Sequence, residues 1–84
     1  MVKEIKKVTR SPIFIKQTKK LDSLYTQKLK KQILKILENP EVGKPLRYLR
    51  GERTLYIKPF RLIYQLREDE LILLKFEHRK SAYK

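Results

Sequence analysis

Apolar residues recur with two different spacings along this chain, and the change falls at Gly43. Upstream, Tyr25, Leu29, Ile33, Ile36 and Leu37 form a stripe of helical period, which predicts a helix buried along one side. Asp22 or Ser23 is placed to cap its start, and Asn39-Pro40 ends it. Ser11-Pro12 marks an earlier helix, because serine caps and proline tolerates the first helical position. Phe14, Thr18 and Leu21 then fall on one face of it. So short a link predicts an antiparallel helical hairpin, with Lys28, Lys30, Lys31 and Lys35 on its outer side. Ahead of the helices, residues 2–8 alternate imperfectly and read as a charged edge strand.

Downstream of Gly43 the period is two. Residues 46–49 are expected to form a short strand before a turn at Gly51-Glu52. In residues 54–58, Leu55 and Ile57 alternate with Thr54, Tyr56 and Lys58. A tight connection at Pro59-Phe60 leads into residues 61–66, where Leu62, Tyr64 and Leu66 alternate with Arg61, Ile63 and Gln65. Glu68-Asp69 turns the chain into residues 71–76, which are apolar on both faces and so predict a central strand. The order is β-α-α-β-β-β: an α+β fold with a twisted, mainly antiparallel sheet and the helical hairpin on one face.

Composition narrows the class. The 84 residues make one domain on a modest core, with 40% hydrophobic residues and no internal repeat. No stretch approaches the roughly 20 apolar residues of a membrane span, and the start Met-Val-Lys-Glu lacks the apolar core of a secretory signal. There is no cysteine, hence no disulfide or thiolate metal site, and the single His78 argues against a multi-histidine centre. No carboxylate cluster implies a bound metal, so no cofactor is expected. A cytoplasmic domain, with no membrane partner, is the expectation.

Charge adds a direction. The net charge is +13, and the kind of cation changes along the chain. Before residue 41 the cations are lysines apart from Arg10; later come Arg47, Arg50, Arg53, Arg61, Arg67 and Arg79, set among the alternating segments. Arginine presents a rigid donor fork that matches phosphate, and a strand fixes the direction of its side chains. An arginine-rich sheet in so basic a chain points to a polyanion, most simply nucleic acid.

With a two-residue turn at Pro59-Phe60, Lys58 and Arg61 face one another across a strand pair. Leu55, Ile57, Leu62 and Tyr64 then point to the helices, and Tyr56, Lys58, Arg61 and Gln65 line the open face. Like charges directly opposed destabilise a sheet, so either an anion sits between them or both are solvated at a loop end. The C-terminal run His78-Arg79-Lys80-Ser81-Ala82-Tyr83-Lys84 adds cations and a ring able to stack on a base; the competing reading is a frayed basic tail. One histidine leaves no conventional pair for acid–base hydrolysis of RNA. If the chain is a nuclease, Lys58, Arg61, Arg79 and Tyr83 must do the work without a metal, the cations stabilising the charge of a pentacoordinate phosphate.

The element order, the stretch Leu46-Arg47-Tyr48-Leu49-Arg50-Gly51, the segment Tyr56-Ile57-Lys58-Pro59-Phe60-Arg61-Leu62-Ile63-Tyr64-Gln65 and the ending His78-Arg79-Lys80-Ser81-Ala82-Tyr83 together resemble the RelE/ParE toxin superfamily. The resemblance covers nearly the whole chain and implies a single toxin domain over residues 1–84. RelE-like members are toxins of type II toxin–antitoxin pairs that cut messenger RNA in the ribosomal A site and are neutralised by a RelB-like antitoxin; ParE-like members poison DNA gyrase. By resemblance, Lys58 matches a lysine implicated as base and Arg61 the arginine that grips the phosphate. Arg79 matches the arginine linked to transition-state charge or leaving-group protonation, and Tyr83 the tyrosine that orients the nucleotide. Arg47, Arg50, Arg53, Tyr56, His78 and Lys80 are the further candidates for binding RNA. Two departures stand out: the loop between Lys58 and Arg61 is shorter than in bacterial RelE, and Tyr56 replaces a second lysine.

The expectation is therefore a metal-independent, ribosome-dependent endoribonuclease in which the 2′-hydroxyl attacks the adjacent phosphate, held by an acidic RelB-like antitoxin. Gyrase inhibition and a non-catalytic module that binds an antitoxin and co-represses remain the alternatives.

Overall fold

The computed structural model describes residues 4–46 and 51–78. Its elements run β1 (Lys7–Arg10), α1 (Pro12–Thr18), α2 (Ser23–Glu38), β2 (Lys44–Pro45), β3 (Glu52–Ile57), β4 (Phe60–Arg67) and β5 (Glu70–His78). The five strands form one sheet in the order β1-β5-β4-β3-β2. Only β1 and β5 run parallel; the other three pairings are antiparallel. This is the mixed α+β architecture that the two spacings predict, with β5 in the interior as expected.

Capping places the helices where the sequence signals put them. The Ser11 side chain accepts from the Phe14 amide, and Pro12 occupies the first helical turn, where a missing amide hydrogen costs nothing. Asp22 accepts from the Tyr25 amide and starts α2. Phe14, Leu29 and Ile36 then meet Ile57, Leu62, Tyr64, Leu71, Leu73 and Phe76 in one core, with Ile33 and Leu21 at its margin. Each such side chain fully removed from water contributes about 1.5–3 kcal/mol. The buried stripe of α2 is narrower than expected: Leu37, like Leu24 and Leu34, is exposed. Lys28, Lys30, Lys31 and Lys35 form the outer side as predicted.

Several boundaries differ. The first strand starts only at Lys7, because β5 begins at Glu70 and offers no earlier partner; Lys6 and Lys7 both donate to the Asp69 carbonyl there. Ile5 nonetheless packs against the core. A short strand is found at Lys44–Pro45, ahead of the one expected at 46–49, of which Leu46 lies outside any strand and residues 47–49 lie outside the described residues. Gly51 takes the turn with φ +76°, a conformation glycine adopts freely, but Glu52 already belongs to β3.

The consequential difference is the β3–β4 turn. Ile57 pairs with Phe60, so the loop is Lys58-Pro59, joined by a cis peptide bond, rather than Pro59-Phe60. Phe60 returns to the strand and stacks on Phe76 with ring centroids 4.7 Å apart. Arg61 consequently pairs with Tyr56, and the expected opposition of Lys58 to Arg61 does not exist. The register has slipped by two residues, which preserves the face of every side chain and changes only its neighbours. Leu62 and Tyr64 still point to the helices, and Arg61 still points away.

A second irregularity lies in β5. Ile63 pairs with Lys75 but Tyr64 with Leu73, leaving Leu74 as a bulge. The head of α1 is fastened at this point. The Ser11 amide donates to the Leu73 carbonyl at 2.9 Å, and its hydroxyl donates to the Leu74 carbonyl at 2.6 Å. Gln17 accepts from the Phe76 amide at 2.7 Å. Beyond the end of β1, α1 thus satisfies the exposed edge of β5.

Candidate functional site: the helix-free face of the sheet

Alternation sorts the side chains of β3, β4 and β5 into rows. On the face away from the helices, register aligns Tyr56, Arg61 and Glu77 in one row and Thr54, Ile63 and Lys75 in the next. Ile63 and Thr54 are buried, although they point away from the main core. Ile63 borders a groove of about 580 Å³ whose lining also includes Arg61, Lys75, Glu77, Glu52 and Ser11.

An ion pair contributes to the lining of this groove. Arg61 Nη2 lies 3.2 Å from Glu77 Oε1, and the two side chains are only 24% and 18% exposed. Cross-strand adjacency brings them together, and partial burial shields the pair from the screening that makes most surface pairs worth little. Arg61 Nε is buried with no hydrogen-bond partner among the described residues. Guanidinium carries five donors in a fixed fork, so one carboxylate oxygen at Nη2 leaves it under-used. Thr54 Oγ1 is likewise buried without a partner among the described residues.

The other predicted site residues are distributed more widely. Tyr56 is exposed beside Arg61 in the same row. Lys58 is exposed in the turn, beyond the last strand pair and not opposite Arg61. His78 pairs with Phe60 on the helix side, where its ring meets the Phe60 ring edge-on at 5.5 Å, so it shares no row with Arg61. Arg53 also lies on the helix side: its Nη1 donates to the Gly43 carbonyl at 2.7 Å and to the Glu41 carbonyl at 3.0 Å. Arg47, Arg50, Arg79, Lys80 and Tyr83 lie outside the described residues.

Sequence reasoning passed over Glu77, Lys75 and Glu52. Glu77 has no signal of its own, since a glutamate near a strand end is unremarkable until the register sets it against Arg61. Among the charged residues lining the groove, Arg61 and Lys75 face Glu52 and Glu77. Among the described residues, the groove of this strongly basic chain is therefore lined by balanced charge, not bare positive charge.

Arg53 belongs to a support on the opposite face. The Tyr64 hydroxyl donates to the Pro40 carbonyl and accepts from the Gly43 amide, both at 2.9 Å. Burial pushes the Tyr64 phenol above its usual value, with the Gly43 amide and the Arg53 charge pulling the other way. Gly43 is required by close approach: a Cβ there would stand 2.7 Å from the Tyr64 hydroxyl and 3.0 Å from the Thr54 carbonyl. These contacts fix the connection between α2 and β2 and so hold the edge of the sheet that carries the groove.

Comparison with known proteins agrees with this architecture. Residues 8–83 match the family described as the ParE toxin of the type II toxin–antitoxin system parDE. The fold superposes on the E. coli DinJ–YafQ toxin–antitoxin complex with TM-score 0.78 and 18% identity, covering 96% of this chain and 99% of that one. For the intact E. coli RelBE complex the TM-score is 0.76 with 22% identity, covering 84% of this chain and 93% of the other. For the RelB–RelE complex of Methanococcus jannaschii it is 0.75 with 18% identity, covering 89% and 94%. No match is found by sequence among curated proteins.

Proposed function

We propose that this chain, which belongs to the RelE/ParE superfamily of type II toxins, arrests growth as a ribosome-dependent, metal-independent endoribonuclease that cuts messenger RNA in the A site. The observation that supports this most is Arg61, held by β4 on the helix-free face beside an open groove, its buried Nε without a hydrogen-bond partner among the described residues. A fork of that kind suits a phosphodiester, whose charge grows as the phosphate becomes pentacoordinate. The substrate's 2′-hydroxyl gives its proton to Lys58, acting as base, and attacks the adjacent phosphorus. The bond to the 5′-oxygen breaks, Arg79 supplying the proton that the leaving oxygen takes up, and Arg61 stabilises the equatorial oxygens. Tyr56 lies within the Arg61 row, and Lys58 is exposed in the turn two residues further on. Arg79 and Tyr83 carry the roles that the resemblance implies for them, and Arg47, Arg50 and Lys80 add phosphate contacts. Arg53 and His78 support the face from behind.

The toxin's partner is an acidic antitoxin of RelB type. Supporting this, the superposable RelE and YafQ chains come from complexes with RelB and DinJ. An acidic, largely extended partner gains affinity by ordering on a basic surface, and its charge speeds encounter. No described helix is long and apolar enough to cross a membrane, and the proposed site of action is the cytoplasm.

Gyrase poisoning is the second reading, favoured by the ParE description of the matching family and by the carboxylates in the groove. Primer extension on messenger RNA after brief induction separates the two. Ribosome-dependent cuts support the nuclease; intact messages with trapped DNA breaks replace it with gyrase poisoning. Growth arrest that survives both Arg61→Ala and Arg79→Ala would leave neither cation essential to toxicity.

A further inference from the structure

The groove contains an element that a phosphate site would not need. Glu77 is the cross-strand neighbour of Arg61, its Oε1 is 3.2 Å from Arg61 Nη2, and both side chains are mostly buried. A phosphodiester bound by Arg61 would meet this carboxylate at close range. Glu52, on the same groove, adds to the repulsion, and among the described lining residues Lys75 is the one other cation to balance it.

We propose that Glu77 is an affinity- and specificity-setting residue that competes with substrate phosphate for the Arg61 guanidinium. This rests on the reading of the groove as the RNA site. In the free toxin Glu77 holds the fork in place and cancels its charge. An RNA phosphate must displace the carboxylate from Nη2 or share the guanidinium with it, and either route weakens a lone phosphate contact. RNA met at random in the cell is thereby bound loosely. RNA presented with many other contacts, as on a ribosome, supplies enough binding to open the pair. Coulomb attraction between Glu77 and Arg61 is stronger in this mostly buried setting than at an open surface, which is what makes the competition effective.

A purely structural Glu77 predicts loss of function on substitution; a competitor predicts gain. The test is fluorescence-anisotropy titration of a labelled oligouridylate, at fixed salt of about 0.1 M, with wild type, Glu77→Gln, Glu77→Ala, Glu77→Asp, Arg61→Ala and the Arg61→Ala/Glu77→Gln double variant. Glu77→Gln and Glu77→Ala are expected to bind about tenfold more tightly, a difference of about 1.4 kcal/mol, and Glu77→Asp to stay near wild type. With Arg61 absent, the gain from Glu77→Gln should disappear. Circular dichroism of each variant confirms folding, and either neutral variant suffices if the other is unstable.

Equal or weaker binding by both folded neutral variants overturns the proposal. So does a tenfold gain that persists without Arg61, which would be a general effect of net charge. If Arg61→Ala binds as well as wild type, the groove is not the RNA site, and this reading of it falls together with the inference. If Arg61→Ala weakens binding but the neutral variants do not tighten it, the site stands and only the competition is wrong.

Discussion

Arg53 and Arg61 sit on neighbouring strands of one sheet, yet they meet opposite fates. Arg53 points to the helix side, where the carbonyls of Glu41 and Gly43 take its guanidinium. Arg61 points the other way, meets a carboxylate, and leaves Nε without a partner among the described residues. The same residue type is thus a brace in one place and a candidate ligand-binding group in the other. An excess of arginine raises the expectation of an anionic ligand, but only the face and the partners of each guanidinium tell which one is free to meet it.

The largest expected effect separates the two directly. Arg61→Ala should lower messenger-RNA cleavage about 100- to 1,000-fold, the range for losing one group that stabilises developing charge. Its cost in stability should be about 1 kcal/mol, since Glu77 can turn into the open groove once its partner is gone. Arg53→Ala should do the reverse. It loses two charge-assisted hydrogen bonds, for about 2–3 kcal/mol of unfolding free energy, while the folded protein cleaves within about threefold of wild type. Urea unfolding and single-turnover cleavage of the two variants, measured together, check both halves. Equal losses of activity would abolish the distinction.

The next effect concerns the brace itself. Gly43→Ala forces a methyl group against the Tyr64 hydroxyl and the Thr54 carbonyl. The backbone cannot yield cheaply there, and overpacking of this kind costs about 1–3 kcal/mol. Chemical denaturation should show a lower midpoint for Gly43→Ala. An alanine at Gly43 as stable as wild type would mean that the connection between α2 and β2 is looser than its contacts imply.

How much of this was legible beforehand follows from the range of each interaction. Ser11-Pro12, Asp22, Asn39-Pro40 and Glu68-Asp69 act within a few residues of themselves, and each marks a boundary close to where the sequence places it. Which face each strand residue takes was also legible, because alternation depends only on the chain's own period. The neighbours across strands were not. They depend on the β3–β4 turn, where aromatic packing of Phe60 on Tyr25 and Phe76 draws it back into the strand. That moves Arg61 from Lys58 to Tyr56, while the separate β4–β5 register, shifted at the Leu74 bulge, sets Glu77 on its other side, so an ion pair stands where a pair of cations was expected. The bulge at Leu74 was equally hidden, since it rests on Ser11, far away in sequence. The main chemical feature of the groove therefore emerges only with the register.

The smallest effect is confined to alkaline pH and tests whether Tyr64 is as enclosed as its contacts indicate. Burial raises its folded-state pKa above the ordinary tyrosine value near 10. The folded protein then holds the phenolic proton more tightly than the unfolded chain. This contribution is complete below about pH 10 and is lost as pH rises from the unfolded value through the folded one. Lysine titration in the same range removes positive charge from a +13 chain and relieves its self-repulsion, an opposing trend. The effect must therefore be read as a difference. Tyr64→Phe deletes the titrating group along with its bonds to Gly43 and Pro40, and should be less stable by about 1–3 kcal/mol at neutral pH. Above about pH 10 the wild type should lose stability faster than Tyr64→Phe, so that the gap between them narrows. A gap that stays constant, in urea titrations carried through that range, would mean the phenol ionises as readily in the folded protein as in the unfolded chain.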